Sequence, residues 1–192
     1  MRRFLALPSI VCWAFLFSER ALSAQDRWAE ADVRTRRLSP STFQGLPTEV
    51  RKDLERRGCT VPQLWAGWGG PNPGNVVSGH FRTGRQVDWA VLCSIKRVSA
   101  ILVYWAGRPD SVDQLASAAD KDFLQSMRGD TIAFSRSIAI VDARYIREHF
   151  ERYGGTEPPP IDHEGIDDGF QGKASVVRYW YQGKWLELTG AD

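Results

Sequence analysis

What this chain lacks narrows its function before anything it contains does. Its 192 residues hold no G-x-S-x-G turn, no P-loop, no H-E-x-x-H and no Cys-x-x-Cys pair. The standard nucleophile, nucleotide and zinc patterns are therefore missing. Histidine occurs three times, at His80, His149 and His163, far apart in sequence. His163-Glu164 begins like a zincin motif, but the second histidine does not follow. No repeat of solenoid or propeller period is present.

A surplus of charge is lacking too. The formal +2 of the whole chain comes from Arg2, Arg3 and Arg20 set against Glu19. Without the first 24 residues, the 25 basic and 23 acidic residues fall to 22 of each. A balanced chain has no long-range field to draw in nucleic acid or an anionic membrane, so neither is expected as a partner. Local basic clusters survive at Arg34, Arg36, Arg37 and at Arg51, Lys52, Arg56, Arg57, the second diluted by Asp53 and Glu55.

The start of the chain explains where that charge went. Arg2 and Arg3 precede an apolar run over 4–17, a polar group at Ser18, Glu19, Arg20, and small residues at Ala21, Ser23 and Ala24. This is the three-part layout of a secretory signal peptide, with cleavage after Ala24 or, as the runner-up, after Ser23. The competing reading is an uncleaved anchor. About 14 apolar residues fall short of the roughly 17–25 of a spanning helix, and Pro8 interrupts them. Val11 before Cys12 argues against a lipoprotein. The expected address is secreted or periplasmic, with no membrane span after cleavage.

Cysteine is nearly absent from what remains. Cys12 leaves with the leader, and Cys59 and Cys93 stay. Two cysteines in an oxidising compartment read as one disulfide, closing a loop worth about 3–4 kcal/mol in loop-closure entropy. No spacing supports a cysteine nucleophile.

What is present reads as one domain. Residues 1–24 are the signal peptide, 25–45 a poorly periodic arm, and 46–192 a single α+β domain. Pro47 opens a helix to about Arg57, with Leu46, Val50 and Leu54 on one stripe and Gly58 at the exit. A Gly/Pro-rich loop carrying Trp65 and Trp68 follows over 61–75. Strands are expected over 76–82, 87–95 and 98–105. The middle one is apolar on both faces, as a strand covered on both sides would be. Lys96-Arg97 suits a primed two-residue turn poorly, so a wider loop there stays open. Ser111 with Gln114 makes a capping box. Val112, Leu115, Ala119, Phe123 and Met127 then step by three and four, predicting a helix closed by Gly129. A strand over 131–141, a helix capped by Asp142, a loop to about Gly172 and a hairpin turning on Gln182-Gly183 complete the chain. The expectation is a largely antiparallel sheet of about five to six strands with two or three helices packed on it.

Two loops concentrate the residues that bind things. Asp162, His163, Glu164, Asp167 and Asp168 crowd the stretch from Ile161 to Phe170, where Gly165 and Gly169 allow tight bends. Hard oxygens on a flexible loop suit calcium, with Asp162, Glu164, Asp167 and Asp168 as its ligands. Gly165, though, falls three residues after the first acid, where an EF-hand places its glycine five after. The plain alternative is a solvated acidic loop that pairs with arginines, and no cofactor is otherwise expected. Trp65 and Trp68 offer a platform for a sugar ring or a protein partner; the plain alternative is that they lid the core.

The segment Val77-Ser78-Gly79-His80-Phe81, a turn, then Val87-Asp88-Trp89-Ala90-Val91-Leu92 resembles the core of an FG-GAP (integrin-type) repeat. Gly79, Phe81, Asp88 and Ala90 match its outline. The resemblance would imply a calcium turn and a propeller blade. Arg82-Thr83-Gly84-Arg85 places cations where the family has aspartates, and a propeller needs several blades, so neither implication is carried over.

The sequence thus points to an exported, disulfide-tied binding domain whose ligand or partner, a protein or a glycan, meets Trp65, Trp68, Asp162, His163 and Glu164. The alternative is a hydrolase of envelope or extracellular glycans or esters, using Asp162 or Glu164 with His163 as acid and base.

Overall fold

Strands that are apolar on both faces must be covered twice, and the chain supplies that cover in layers. The computed structural model describes residues 24–68, 70 and 72–190. The expected leader lies outside them except for Ala24. In chain order the elements are α1 (Ala24–Arg34), β1 (Arg37–Leu38), α2 (Thr48–Arg56), β2 (Val61–Pro62), β3 (Val76–Gly79), β4 (Asp88–Ile95), β5 (Val98–Tyr104) and β6 (Val112–Ala119). There follow β7 (Leu124–Ser126), β8 (Ile132–Phe134), β9 (Arg136–Val141), α3 (Ala143–Tyr153), β10 (Gly165–Phe170), β11 (Ala174–Tyr181) and β12 (Lys184–Gly190).

The class is α+β with every pairing antiparallel. Instead of one sheet of five to six strands there are twelve strands among the described residues. They form a sheet ordered β3-β4-β5-β6, a second ordered β12-β11-β10-β9, and two short two-stranded ladders. Ala90, Leu92, Ile101 and Val103 of the first sheet pack with Ile138 and Ile166 of the second in one core. On the outer side of the first sheet Val91, Cys93, Leu102 and Tyr104 meet Val50 and Leu54 of α2. On the outer side of the second, Val177, Tyr179 and Leu188 meet Ile146 of α3. The order of layers is helix, sheet, sheet, helix.

The Cys59–Cys93 disulfide joins the exit of α2 to β4 across a Cα–Cα distance of 5.4 Å. Beside it, buried Asp53 accepts from Tyr104 Oη (2.9 Å) and Arg57 Nε (2.6 Å), so this helix carries a covalent and a hydrogen-bonded anchor to the sheet. Asp142 caps α3 as expected, its Oδ1 accepting from Tyr145 N at 2.7 Å. The Gln182-Gly183 turn closes the β11–β12 hairpin with both residues at positive φ.

Four expectations change. The helix read over 111–129 is instead β6, a short turn and β7. A helix there would leave the outer edge of buried β5 without backbone partners, a heavier cost than the local propensity gain. The loop read through 161–172 contains β10, a central strand. Residues 25–45, read as an arm, form α1 and β1, held where Arg37 bridges Asp32 and buried Asp120 at 2.7 Å each. Lys96-Arg97 forms a tight two-residue turn with φ of 50° and 63°, Ile95 pairing with Val98.

One end of the sandwich is tryptophan-rich. Trp105 stacks on Trp185 (5.5 Å) and meets Trp180 edge-on (4.9 Å), with the Arg82 guanidinium over two of the rings. Trp185 Nε1 donates to Asp113 Oδ2 at 3.0 Å, linking the edge strands β12 and β6.

Candidate functional site

The Gly/Pro-rich segment after β2 is a loop pinched at its base by two amide side chains. Gln63 accepts from Gly74 N (2.9 Å) and donates to Gly74 O (3.2 Å), closing the loop on itself. Asn75, in the left-handed region at φ 67°, donates to Pro62 O (2.7 Å) and Arg136 O (3.2 Å) and accepts from Ile138 N (3.0 Å). An asparagine tolerates that conformation better than most residues, and here its side chain supplies the bonds a strand would, fastening the loop to β9. Trp65 N donates to Phe134 O at 3.0 Å, adding a third tie to β8.

Between this loop, the end of α1, β8 and β9 lies a cleft of about 460 Å³, within the range of small-molecule sites. Buried Ala31, Phe134 and Ile138 with half-buried Trp65 and Ile132 give it an apolar floor. Exposed Asn72, Arg34 and Arg36 stand at its lip. Trp65 and Trp68 meet edge-to-face with centroids 6.1 Å apart. Trp68 is 43% exposed, and its ring also faces Gly172 of the β10–β11 turn. Gly67 lies so close to the Trp65 ring that any side chain there would collide with it.

The two tryptophans are therefore brought together, but the acidic residues do not join them. Asp162 is exposed. His163 is buried, its Nδ1 3.0 Å from Glu164 O. Glu164 Oε2 accepts from His80 N at 2.7 Å, and Glu164 N donates to His80 O at 2.9 Å, a reciprocal latch between two loops. None of the three lines the cleft. They precede the end of β10 beside Val141, whereas Ser137 and Ile138 of the cleft lie opposite Gly169 and Asp168. Five residues of extended chain separate the two places, roughly 17 Å.

The proposed calcium ligands also diverge. Asp168 faces the sandwich interior, accepting from Arg136 Nε and Nη2 at 2.8 and 2.9 Å, with Arg178 on its other side. Asp167 faces α3, 3.4 Å from Tyr145 Oη. Among the described residues no group of three His, Cys, Asp or Glu side chains is arranged to hold a metal ion.

Asp167 belongs to a second cluster, under α3. A cavity of about 90 Å³ is lined by His149, Tyr145, Tyr153 and Ser175. His149 Nε2 and Asp167 Oδ1 are buried there without hydrogen-bond partners. Burial pushes the Asp167 carboxyl up, against the Ser175 hydrogen bond that pulls it down. Burial pushes the His149 imidazole down, against the pull of Asp167.

Sequence reasoning found Trp65 and the basic cluster containing Arg36 but did not connect them. Gln63, Asn75 and Phe134 carry no local signal of a site: Gln63 acts across its own loop on Gly74, and Asn75 and Phe134 act only once that loop meets β9 and β8. The chain matches no family model, no curated protein and no solved structure.

Proposed function

We propose that this is an exported, secreted or periplasmic, disulfide-tied domain that works by binding a ligand in the Trp65 cleft. The observation that carries the reading is the combination of an indole face, an apolar floor and polar groups at the lip, on a loop fixed at its base by Gln63 and Asn75. A preformed cavity with few polar groups is what small-ligand recognition needs. Among the described residues its lining contains no Asp, Glu, His or Cys, so the cleft offers stacking and hydrogen bonding. The groups with shifted proton affinity nearest to reaction chemistry sit elsewhere, under α3. A ring-bearing ligand fits this chemistry, as a single molecule or as the exposed sugar unit of a glycan partner.

The test is a screen of sugars and ring-bearing metabolites against the mature protein, read by tryptophan fluorescence and melting temperature. A ligand that shifts both in the wild type and neither in Trp65→Ala supports the reading. Ligands that bind Trp65→Ala as well as wild type place the site elsewhere and defeat it.

A further inference from the structure

The cleft carries one charged group, Arg36, with no counter-charge paired to it among the described residues. Arg37 is spent on Asp32 and Asp120. Arg34 pairs with Glu30 at 3.2 Å. Arg36 lies between them in sequence and lines the cleft. Among the described residues its guanidinium has no hydrogen-bond or ion-pair partner.

Its position is set by the backbone. Arg36 O accepts from Gln63 N at 2.8 Å, and the next residue begins β1, paired to Pro62. Neighbouring side chains on extended chain point to opposite sides. Arg37 turns inward to the buried carboxylates, and Arg36 turns the other way, to the lip. The strand is held at both ends of this step, so the backbone that carries this cation is fixed beside the Trp65 loop.

The rest of the lining leaves that charge standing. No carboxylate lines the cleft among the described residues, although acidic and basic residues are equal in number beyond residue 24. A planar guanidinium is suited to forked recognition of carboxylate, sulfonate or phosphate oxygens. The floor, meanwhile, is indole, phenyl and aliphatic. We infer that the ligand of this cleft is an organic anion, with a ring or short apolar body against Trp65 and Phe134 and its charged group on Arg36. The inference rests on the binding reading above and specifies the class of ligand.

Two dyes sharing one ring skeleton separate the ideas: anilinonaphthalene sulfonate and its uncharged parent, phenylnaphthylamine. Each is titrated at low ionic strength into the folded mature protein and into Arg36→Gln and Trp65→Ala, with near-ultraviolet circular dichroism confirming that the variants keep their tertiary packing. The expected result is that the sulfonate binds wild type about fivefold more tightly than the neutral dye, the scale of one exposed ion pair. Arg36→Gln should remove that difference while leaving the neutral dye unchanged, and Trp65→Ala should weaken both. If Arg36→Gln leaves sulfonate affinity unchanged while Trp65→Ala weakens both dyes, the anion inference falls and the binding cleft stands. If Trp65→Ala changes neither dye, the cleft itself is wrong and the inference goes with it.

Discussion

Arg136, fully buried, grips buried Asp168 along one edge of its guanidinium, Nε and Nη2 donating at 2.8 and 2.9 Å. The same side chain crosses to the other sheet, donating to Ala116 O at 2.8 Å and to Ser99 O and Oγ at 3.3 and 3.2 Å. Ala116 sits at φ 51° where β6 bulges and its register against β5 shifts. One charged residue thus holds the two sheets in register. Breaking such a pair leaves the buried carboxylate only the looser contact with Arg178 at 3.7 Å, at about 3–5 kcal/mol. Arg136→Met should lose that much in urea unfolding; a loss under about 1 kcal/mol would show the contact to be incidental.

The disulfide should be worth about as much as its loop predicts. Replacing both Cys59 and Cys93 by serine should cost about 3–4 kcal/mol. Tyr104 and Asp53 remain to hold α2, so the variant should still fold. Hydrogen exchange should show faster exchange in α2 with little change in β11 and β12. Equal loosening throughout would mean that the bridge is not a local clamp on this helix.

His149 gives a pH dependence with a definite sign. Its folded-state proton affinity lies below the ordinary 6.5 because of burial, while the unfolded chain keeps the ordinary value. As pH falls through 6.5, the unfolded state takes the proton first and stability drops, until the pH passes the lower folded value. Asp167 acts in the opposite direction: burial raises its carboxyl above 3.8, so its protonation favours the folded state. His149→Phe should remove the loss seen between about pH 7.5 and about pH 5.5. An unchanged slope in urea titrations would assign that loss to other groups.

Gly67 makes the Trp65 loop testable without touching a ring. A β-carbon there collides with the indole, so Gly67→Val should displace Trp65 and weaken cleft ligands at least about tenfold. The loop is on the surface, so the melting temperature should stay within about 3 °C. Full affinity in this variant would show that the Trp65 ring position is irrelevant to binding.

Much of this fold was legible wherever local and global demands agree. Pro47, the Leu46–Val50–Leu54 stripe and Gly58 mark α2; Asp142 marks α3; Gln182-Gly183 marks the last hairpin. The misreadings fall where tertiary context outweighed local preference. The apolar steps from Val112 to Met127 suit a helix, yet with the bulge at Ala116 they also place Val112 on the outer face of the sheet and Leu115 and Ala116 on the inner one. Gly165-Ile166-Asp167-Asp168-Gly169 reads as a loop because nothing local reveals that Arg136 and Arg178 neutralise Asp168. Nor does it reveal that a side chain at Gly165 would press within 2.7 Å of Arg178 O. The candidate site was half visible. Aromatic residues in a Gly/Pro loop signalled Trp65, while the acidic cluster drew attention to residues that serve packing and loop latching. α1 was missed because it buries little besides Ala31 and Asp32 and so shows almost no apolar period.

The claim that the Trp65 cleft is where this protein binds is tested most directly by the indole N–H resonances of its tryptophans. Titrating anilinonaphthalene sulfonate into the ¹⁵N-labelled protein should move the Trp65 signal, and more weakly that of Trp68, while those of buried Trp105 and of Trp185, held by Asp113, stay in place. Saturable shifts confined to the Trp105–Trp180–Trp185 end, with Trp65 unmoved, would contradict the account.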